Sequence, residues 1–155
     1  FSHFAELPAQ KNENIDIIST TKLALEIFNE QNIIFQSKLG SLNVKIDRTN
    51  LIRVITNLVK NAIQATENIK NSKIIVSVKK LRNKAIIEIE DNGDGIPRKN
   101  RDKIFEPKFT TKSKGMGLGL SIIKNLVTNY NGKIDFVSKK GKTIFKIELP
   151  IHKNV

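Results

Sequence analysis

Cysteine and tryptophan are absent from this chain of 155 residues, and tyrosine and methionine occur once each. Without cysteine there is no disulfide, no thiolate zinc site and no cysteine nucleophile, which fits a reducing compartment. Aromatic residues make up only 6% of the sequence, and they form no motif typical of a platform that stacks bases. A basic nucleic-acid-binding module is therefore a poorly supported alternative.

Long apolar runs are also lacking. No stretch approaches the roughly 20 apolar residues that span a bilayer, and the first residues have no signal-peptide pattern. We therefore expect a soluble, cytoplasmic piece. Because the chain opens on Phe1 rather than Met, we expect a fragment, and its parent protein can still be membrane-anchored.

Negative charge is scarce relative to positive charge. The 27 Lys and Arg residues against 15 Asp and Glu residues give a net charge of +12. This excess favours acidic partners such as phosphates, carboxylate-rich protein faces or nucleic acid. The lysines are spread along the chain beside abundant Asn and Ile, as an AT-rich genome would also produce. The charge alone therefore does not select a partner.

A chain of 155 residues with 39% hydrophobic content suffices for one domain with one core. The apolar periodicity predicts that this domain belongs to the α+β class. Residues 1–13 are interpreted as the end of an upstream helix and a linker, and the domain proper is expected over 14–155. The predicted fold is a two-layer sandwich in which about three helices cover one face of a mixed, mostly antiparallel sheet. Helices are predicted over 20–31, after Asp47 and over 118–130, and strands over 33–39, 74–80, 85–91, 133–138 and 143–149.

Two of these helices carry apolar stripes. In residues 20–31 the spacing of Leu23, Ile27 and Phe28 predicts a short amphipathic helix. The helix that follows the N-cap residue Asp47 is expected to face the core with a longer stripe. That stripe consists of Leu51, Val54, Ile55, Leu58 and Ala62.

A polar stripe runs beside the apolar stripe of the second helix. Asn57, Lys60, Asn61 and Gln64 recur at i, i+3, i+4 and i+7, so they share a face. Asn is a mediocre helix former, and an ordinary exposed face would favour Glu or Lys. By itself the stripe fits a solvated helix face as well as a binding site.

The strand over 85–91 ends in a carboxylate on its apolar face, because Asp91 continues the row of Ala85, Ile87 and Ile89. A carboxylate at the end of a buried row needs a hydrogen-bond donor, or it takes up a proton. The exocyclic amine of a base could be this donor. Alternatively, Asp91 caps a turn, because the segment that follows is rich in turn formers.

A glycine-rich segment, Gly115–Gly119, leads directly into the last predicted helix. Backbone N–H groups at a helix N-terminus stabilise anions such as phosphates, although such a loop alone is a weak signal. Three common motifs do not fit. A P-loop would need Gly where this chain has Phe136, and a Rossmann fingerprint would need Gly where it has Leu120. An EF-hand would need Glu where the chain has Arg101.

Four segments, taken in order, resemble the N, G1, F and G2 boxes of sensor histidine kinases of the GHKL superfamily, of the nitrogen-regulation-like type. The segments are Asn57-Leu58-Val59-Lys60-Asn61-Ala62, Asp91-Asn92-Gly93-Asp94-Gly95, Phe105-Glu106-Pro107-Lys108-Phe109 and Gly115-Met116-Gly117-Leu118-Gly119. The resemblance implies the GHKL ATPase fold with a mobile ATP lid over residues 105–117.

The resemblance also assigns roles to individual positions. Asn61 would bind Mg²⁺ through its carbonyl oxygen, Asn57 would lie against the phosphates, and both are expected to be catalytic together with Lys60. Asp91 would accept from the adenine amino group, and Thr143 would help bind the base through water. The other expected ATP-binding residues are Gly93, Gly95, Ile96, Thr110, Thr111, Lys112, Gly115, Gly117, Leu118 and Gly119.

Two positions depart from the family pattern. Gln64 stands where many members have Lys, so a cation on the phosphate side is missing, and Lys60 or Lys112 is expected to replace it. One Gly is missing from the pattern before Thr143, which affects only the local turn.

The function that the resemblance implies is transfer of the ATP γ-phosphoryl group, with Mg²⁺ as cofactor, to a histidine on a separate dimerisation domain and then to a response regulator. His3 and His152 lack the flanking residues of a phosphoacceptor box, so the acceptor is expected outside this chain. The main alternative is a GHKL ATPase of the chaperone, topoisomerase or mismatch-repair type. Those hydrolases carry Glu where this chain has Asn57, which cannot act as a general base. No nucleic-acid partner is expected.

Overall fold

The computed structural model describes residues 11–107 and 119–151, in which helices and strands form two layers. The predicted α+β class and the helix-covered sheet are confirmed. The elements are β1 (Glu13–Asp16), α1 (Ile17–Leu25), β2 (Ile33–Gln36), β3 (Asn43–Ile46), α2 (Arg48–Ala65), β4 (Ile74–Leu81), β5 (Lys84–Asp91), α3 (Arg98–Arg101), α4 (Leu120–Asn129), β6 (Lys133–Lys139) and β7 (Lys142–Pro150).

The main sheet has five strands in the order β2-β4-β5-β7-β6. β2 lies parallel to β4, whereas β4–β5, β5–β7 and β6–β7 are antiparallel pairs, as the prediction of a mixed, mostly antiparallel sheet required. The short strands β1 and β3 pair with each other in a second sheet. An isolated bridge between Val44 and Ile151 connects β3 to the end of β7.

Helix α2 begins where the sequence predicts, because Asp47 caps it. The Asp47 side chain accepts a hydrogen bond of 3.1 Å from the backbone N–H of Asn50. The predicted apolar stripe of α2 is buried against β4 and β5, while α1 and α4 pack on its flanks. This packing places the polar stripe of α2 beside the core rather than on a remote surface.

The prediction for the first helix is wrong in its bounds and its buried face. α1 starts before residue 20 because Asp16 caps it, accepting a hydrogen bond of 3.0 Å from the N–H of Ile18. Leu23 and Ile27 are 48% and 61% exposed. The side that packs on the core instead consists of Ile17, Ile18, Thr20, Thr21 and Ala24.

Three elements, β1, β3 and α3, were not predicted, since each has only four residues and shows no measurable periodicity. β2 ends at Gln36 rather than at residue 39, because the Ser37 hydroxyl, and not a backbone N–H, donates to the Val78 carbonyl at 2.8 Å. α4 begins at Leu120 with Gly119 as its N-cap. Among the residues that the structure describes, no helix is long and apolar enough to cross a bilayer.

Candidate nucleotide-binding site

Asp91 ends β5 with only 5% of its surface exposed, as its place in the apolar row predicts. Its Oδ1 accepts a hydrogen bond of 2.9 Å from the N–H of Gly93, so the turn-capping reading is also correct. Burial raises the pKa of the Asp91 carboxyl above its ordinary 3.8, the Gly93 bond lowers it, and the charge of Glu90 raises it. Because two carboxylate oxygens accept several bonds, Asp91 keeps capacity for an incoming amine.

The glycines after Asp91 seat the loop against its neighbours. A Cβ on Gly93 would lie 2.5 Å from the carbonyl oxygen of Ala65, the last residue of α2. Gly95 has a φ of +88°, and a Cβ there would lie 2.7 Å from the carbonyl oxygen of Lys139. These contacts bring the end of β5 next to the end of α2 that carries Asn61 and Gln64. The predicted approach of both glycines to a base stays a prediction.

The amide of Asn57 has a fixed orientation. Asn57 is 7% exposed, and its Nδ2 lies 2.7 Å from the carbonyl oxygen of Arg53, one turn earlier. Since a carbonyl oxygen can only accept, the atom facing it must be the amide nitrogen, and Oδ1 occupies the other branch of the amide. Asn61 is half-buried one turn further along α2, whereas Lys60 is exposed.

Gln64 extends this row of amides. Its Oε1 is buried and has no hydrogen-bond partner among the residues that the structure describes. Mg²⁺ prefers oxygen ligands, keeps several waters, and is usually bound by one or two protein groups together with substrate phosphates. In residues 11–107 and 119–151 no group of three or more His, Cys, Asp or Glu side chains could hold a metal ion. The amide oxygens of α2 therefore fit a cation that a triphosphate brings along.

Thr143 lies directly opposite Asp91 in the β5–β7 pair and is 4% exposed. Its hydroxyl oxygen is 2.7 Å from that of Ser138, its partner across the β6–β7 hairpin. The same Ser138 oxygen accepts a hydrogen bond of 2.8 Å from the N–H of Ile96. The structure thus brings three predicted residues, Asp91, Ile96 and Thr143, to one end of the sheet.

Ser138 was missed in the sequence analysis, although a signal for it exists. The two residues Lys140 and Gly141 form a tight turn between β6 and β7, with φ of +85° at Gly141. Counting back from such a turn pairs residue 138 with Thr143. Asn92 was missed as well, and its side chain bonds the backbone of Asn71 and Lys73, at 3.0 and 2.8 Å.

The first residue of the predicted lid, Phe105, is anchored by aromatic contacts. The Phe105 ring lies 6.0 Å from the Phe136 ring, which stacks on Phe145 at 5.6 Å. The Nζ of Lys124 in α4 lies 5.3 Å from the centre of the Phe105 ring. No local pattern indicates these partners, because they come from three separate elements.

Six of the predicted ATP-binding residues and most of the predicted lid, residues 108–117, lie outside the described residues. The six residues are Thr110, Thr111, Lys112, Gly115, Gly117 and Leu118. Gly119, the remaining one of the G2 box, is the N-cap of α4, and its carbonyl oxygen accepts from the N–H of Ile123 at 3.1 Å. Its φ of −68° is open to any residue.

A buried carboxylate, its hydroxyl neighbours and an amide-lined helix suit the class of nucleotide-binding modules. Residues 46–153 match the family model described as histidine kinase-, DNA gyrase B- and HSP90-like ATPase. The chain therefore belongs to this family, and the predicted resemblance is confirmed.

Several relatives of this chain are named histidine kinases. The chain is 33% identical to the sensory histidine kinase/phosphatase NtrB of Vibrio alginolyticus, over 93% of this chain and 45% of that protein. The solved catalytic domain of histidine kinase ThkA is 31% identical with a TM-score of 0.81, covering 90% of this chain and 95% of that one.

A second solved structure contains ThkA in complex with the response regulator protein TrrA. That kinase chain is 27% identical with a TM-score of 0.82, covering 97% of this chain and 45% of that one. The chain spans less than half the length of the curated relatives that it matches.

Proposed function

We propose that this chain is the ATP-binding catalytic domain of a sensor histidine kinase and transfers the γ-phosphoryl group of ATP to a histidine on a separate dimerisation domain. The observation that carries the proposal is the contact of Gly93 with Ala65, which sets buried Asp91 beside the amide-bearing end of α2. One end of this site recognises a base, and the other accommodates phosphates.

Recognition of the base rests on Asp91 and Thr143. An ionised Asp91 accepts a hydrogen bond from the exocyclic amine of adenine, which offsets the cost of burying the carboxylate. Thr143 lies directly opposite and contributes a hydroxyl to the same edge of the base. Ile96, whose backbone is held by Ser138, packs on the ring.

Phosphoryl transfer depends mainly on positioning and on neutralising charge. Asn61 and Asn57 would hold Mg²⁺ and the phosphates through amide oxygens, and Lys60 lies next to them on α2. When bound, Mg²⁺ neutralises charge on the phosphate oxygens. We also assign Thr110, Thr111, Lys112, Gly115, Gly117, Leu118 and Gly119 to binding of ATP, as the resemblance implies.

Asn57 favours a kinase over a hydrolase. An amide has no basic lone pair with which to take a proton from water, so Asn57 cannot activate water as a Glu at this position could. Its Nδ2 is already committed to the Arg53 carbonyl. Asn57 therefore offers no general base for hydrolysis of the bound triphosphate.

The proposal extends to partners outside the chain. The NtrB relatives are named kinase/phosphatase, and ThkA has been solved with a response regulator protein. By analogy, we assign residues 1–13 to the end of the dimerisation helix and its linker, and a response regulator to the second transfer. We further propose a cytoplasmic location for the domain, in a homodimeric parent protein that is anchored in the inner membrane.

Nucleotide-dependent thermal stabilisation tests the site. Asn61→Asp places a negative charge beside the triphosphate, and Asp91→Asn replaces the acceptor for the adenine amine, so we expect each variant to lose the stabilisation by Mg-ATP. Asn83→Asp is the matched control, because Asn83 is exposed in the turn at the opposite end of β5. Full stabilisation of both site variants by Mg-ATP would show that the nucleotide binds elsewhere.

Phosphate transfer tests the class of enzyme. With radiolabelled ATP, the chain alone should hydrolyse ATP slowly and retain no label, whereas an added dimerisation domain that carries an acceptor histidine should become labelled. The label should be lost in acid, as expected for a phosphohistidine. Rapid hydrolysis without any histidine partner would contradict the kinase assignment and favour the ATPase alternative.

A further inference from the structure

Ser138 occupies a central position at the base-binding end of the sheet. It is half-buried near the end of β6, and its oxygen contacts both the N–H of Ile96, at 2.8 Å, and the hydroxyl of Thr143, at 2.7 Å. The backbone carbonyl oxygen of its neighbour Lys139 lies 2.7 Å from the place that a Cβ on Gly95 would occupy. One hydroxyl therefore connects the loop after β5 to the residue that faces Asp91.

The hydrogens of this cluster can be counted. The Ile96 N–H can only donate, so Ser138 Oγ is the acceptor in that bond. Ser138 and Thr143 each have one hydroxyl hydrogen, and only one of them lies in the bond between the two oxygens. If Ser138 donates, its hydroxyl makes one bond as donor and one as acceptor. The hydroxyl hydrogen of Thr143 is then available to a ligand.

We propose that Ser138 is a positioning residue for adenine recognition: by donating to Thr143, it directs the Thr143 hydroxyl hydrogen toward ring atom N1 of the bound adenine, directly or through one water. This inference rests on the proposed function, because it assumes that the base binds against Asp91 and Thr143. Ser138 does not itself touch the nucleotide. It acts through Thr143 and through the backbone of Ile96.

The resulting pattern matches one purine. Adenine presents a donor, its 6-amino group, next to an acceptor, N1, and the site presents an acceptor, Asp91, next to a donor, Thr143. Guanine has the reverse order, with a carbonyl at position 6 and a hydrogen on N1. Through Thr143, Ser138 therefore sets the hydrogen-bond donor of the site, whereas Asp91 supplies the acceptor.

The experiment compares ATP with the analogue in which CH replaces ring N1, using calorimetric binding to the full chain. We expect the wild type to bind ATP about tenfold more tightly than the analogue, as for one hydrogen bond. Ser138→Ala should weaken ATP binding by a similar factor and abolish the preference for N1. Ser138→Thr, which keeps the hydroxyl, should restore the preference.

Ser37→Ala is the matched control. Ser37 is also half-buried, its hydroxyl donates to a backbone carbonyl at 2.8 Å, and it accepts from a backbone N–H at 3.2 Å, but it follows the edge strand β2. We expect Ser37→Ala to lose about as much folding stability as Ser138→Ala but to keep the preference for N1. If Ser138→Ala does not fold, Ser138→Cys replaces it, because a thiol of similar size is a weaker donor.

The outcomes separate the two claims. If the wild type does not bind ATP, the proposed function fails, and this inference fails with it. If the wild type binds ATP and the analogue equally, or if Ser138→Ala keeps the preference for N1, the role of Ser138 is overturned while ATP binding stands.

Discussion

Asp91 shows how a single residue serves binding at the expense of the unliganded fold. Its carboxyl is buried at the end of an apolar row, where burial raises its pKa and one backbone N–H partly compensates. A group whose pKa is raised in the folded state contributes stability below its unfolded pKa, and this contribution is lost as the pH rises through the folded pKa. At neutral pH, Asp91 therefore destabilises the chain until a donor binds.

Asp91→Asn is therefore expected to preserve or raise the melting temperature of the unliganded protein at pH 7, because Asn Oδ1 can still accept from Gly93. The difference in melting temperature between the variant and the wild type should grow as the pH rises from about 4 to 7. Thermal unfolding without nucleotide measures it. A variant that is less stable than the wild type at pH 7 would contradict this account of Asp91.

At the scale of elements, the N-terminus of α2 is where several parts of the fold meet. Asp47 caps the helix and also accepts from the N–H of Lys11 at 2.8 Å. The hydroxyl of Tyr130, the residue after α4, accepts from the N–H of Asp47 at 3.3 Å and from Nδ2 of Asn50 at 3.2 Å. These bonds join α4, which follows the G2 box, to the helix that carries the N box.

Asp47→Ala should lower the free energy of unfolding by about 1–2 kcal/mol, because it removes a helix cap. Burial raises the pKa of Asp47, but bonds from the N–H groups of Lys11, Asn50 and Thr49 outweigh it and lower the pKa below 3.8. The stability that ionised Asp47 contributes to the fold is therefore present above the unfolded pKa and is lost as the pH falls through the folded pKa. Urea unfolding at neutral and acidic pH tests this, with Asp47→Asn as the control that keeps a cap.

Tyr130→Phe should cost about 1–3 kcal/mol, because it leaves two buried donors without their acceptor. A double-mutant cycle with Asn50→Ala separates the two bonds, since the energies of the single variants should not add. Denaturant unfolding gives the energies. Additive energies would mean that the contact between Tyr130 and Asn50 contributes nothing.

At the scale of the whole molecule, the net charge of +12 bears on the phosphate end of the proposed nucleotide site. Positive charge spread over the surface attracts a polyanion from a distance, and salt screens this attraction. The base end relies on short contacts among neutral groups and one carboxylate, which salt screens far less. The two ends of the nucleotide should therefore respond differently to ionic strength.

The Kd for Mg-ATP should rise about tenfold between about 0.1 M and 1 M salt, over which the screening length falls from about 10 to about 3 Å. The Kd for adenosine should stay constant within about a factor of two, since adenosine carries no phosphate. Isothermal titration calorimetry at both salt concentrations measures the Kd of each ligand. Equal salt dependence for the two ligands would show that the surface charge does not act on the phosphates.

Much of the fold could be predicted because long elements have long patterns. The apolar stripe of α2 and the alternation in β5 and β7 extend over many residues, and their buried faces are as expected. α1 could not be predicted correctly, because two buried threonines, Thr20 and Thr21, complete its inner face, while Leu23 is exposed. Hydrophobicity alone assigns such a face to the wrong residues.

The sequence by itself determined the family, through four ordered boxes, and the chemistry that each box can offer, through its amides, its carboxylate and its glycines. Only the tertiary structure decided which groups meet. Gly93 against Ala65, Ser138 beside Thr143, and Tyr130 on the cap of α2 are contacts between separate elements. Such contacts follow from strand register and helix packing, which depend on the whole core and not on any local pattern.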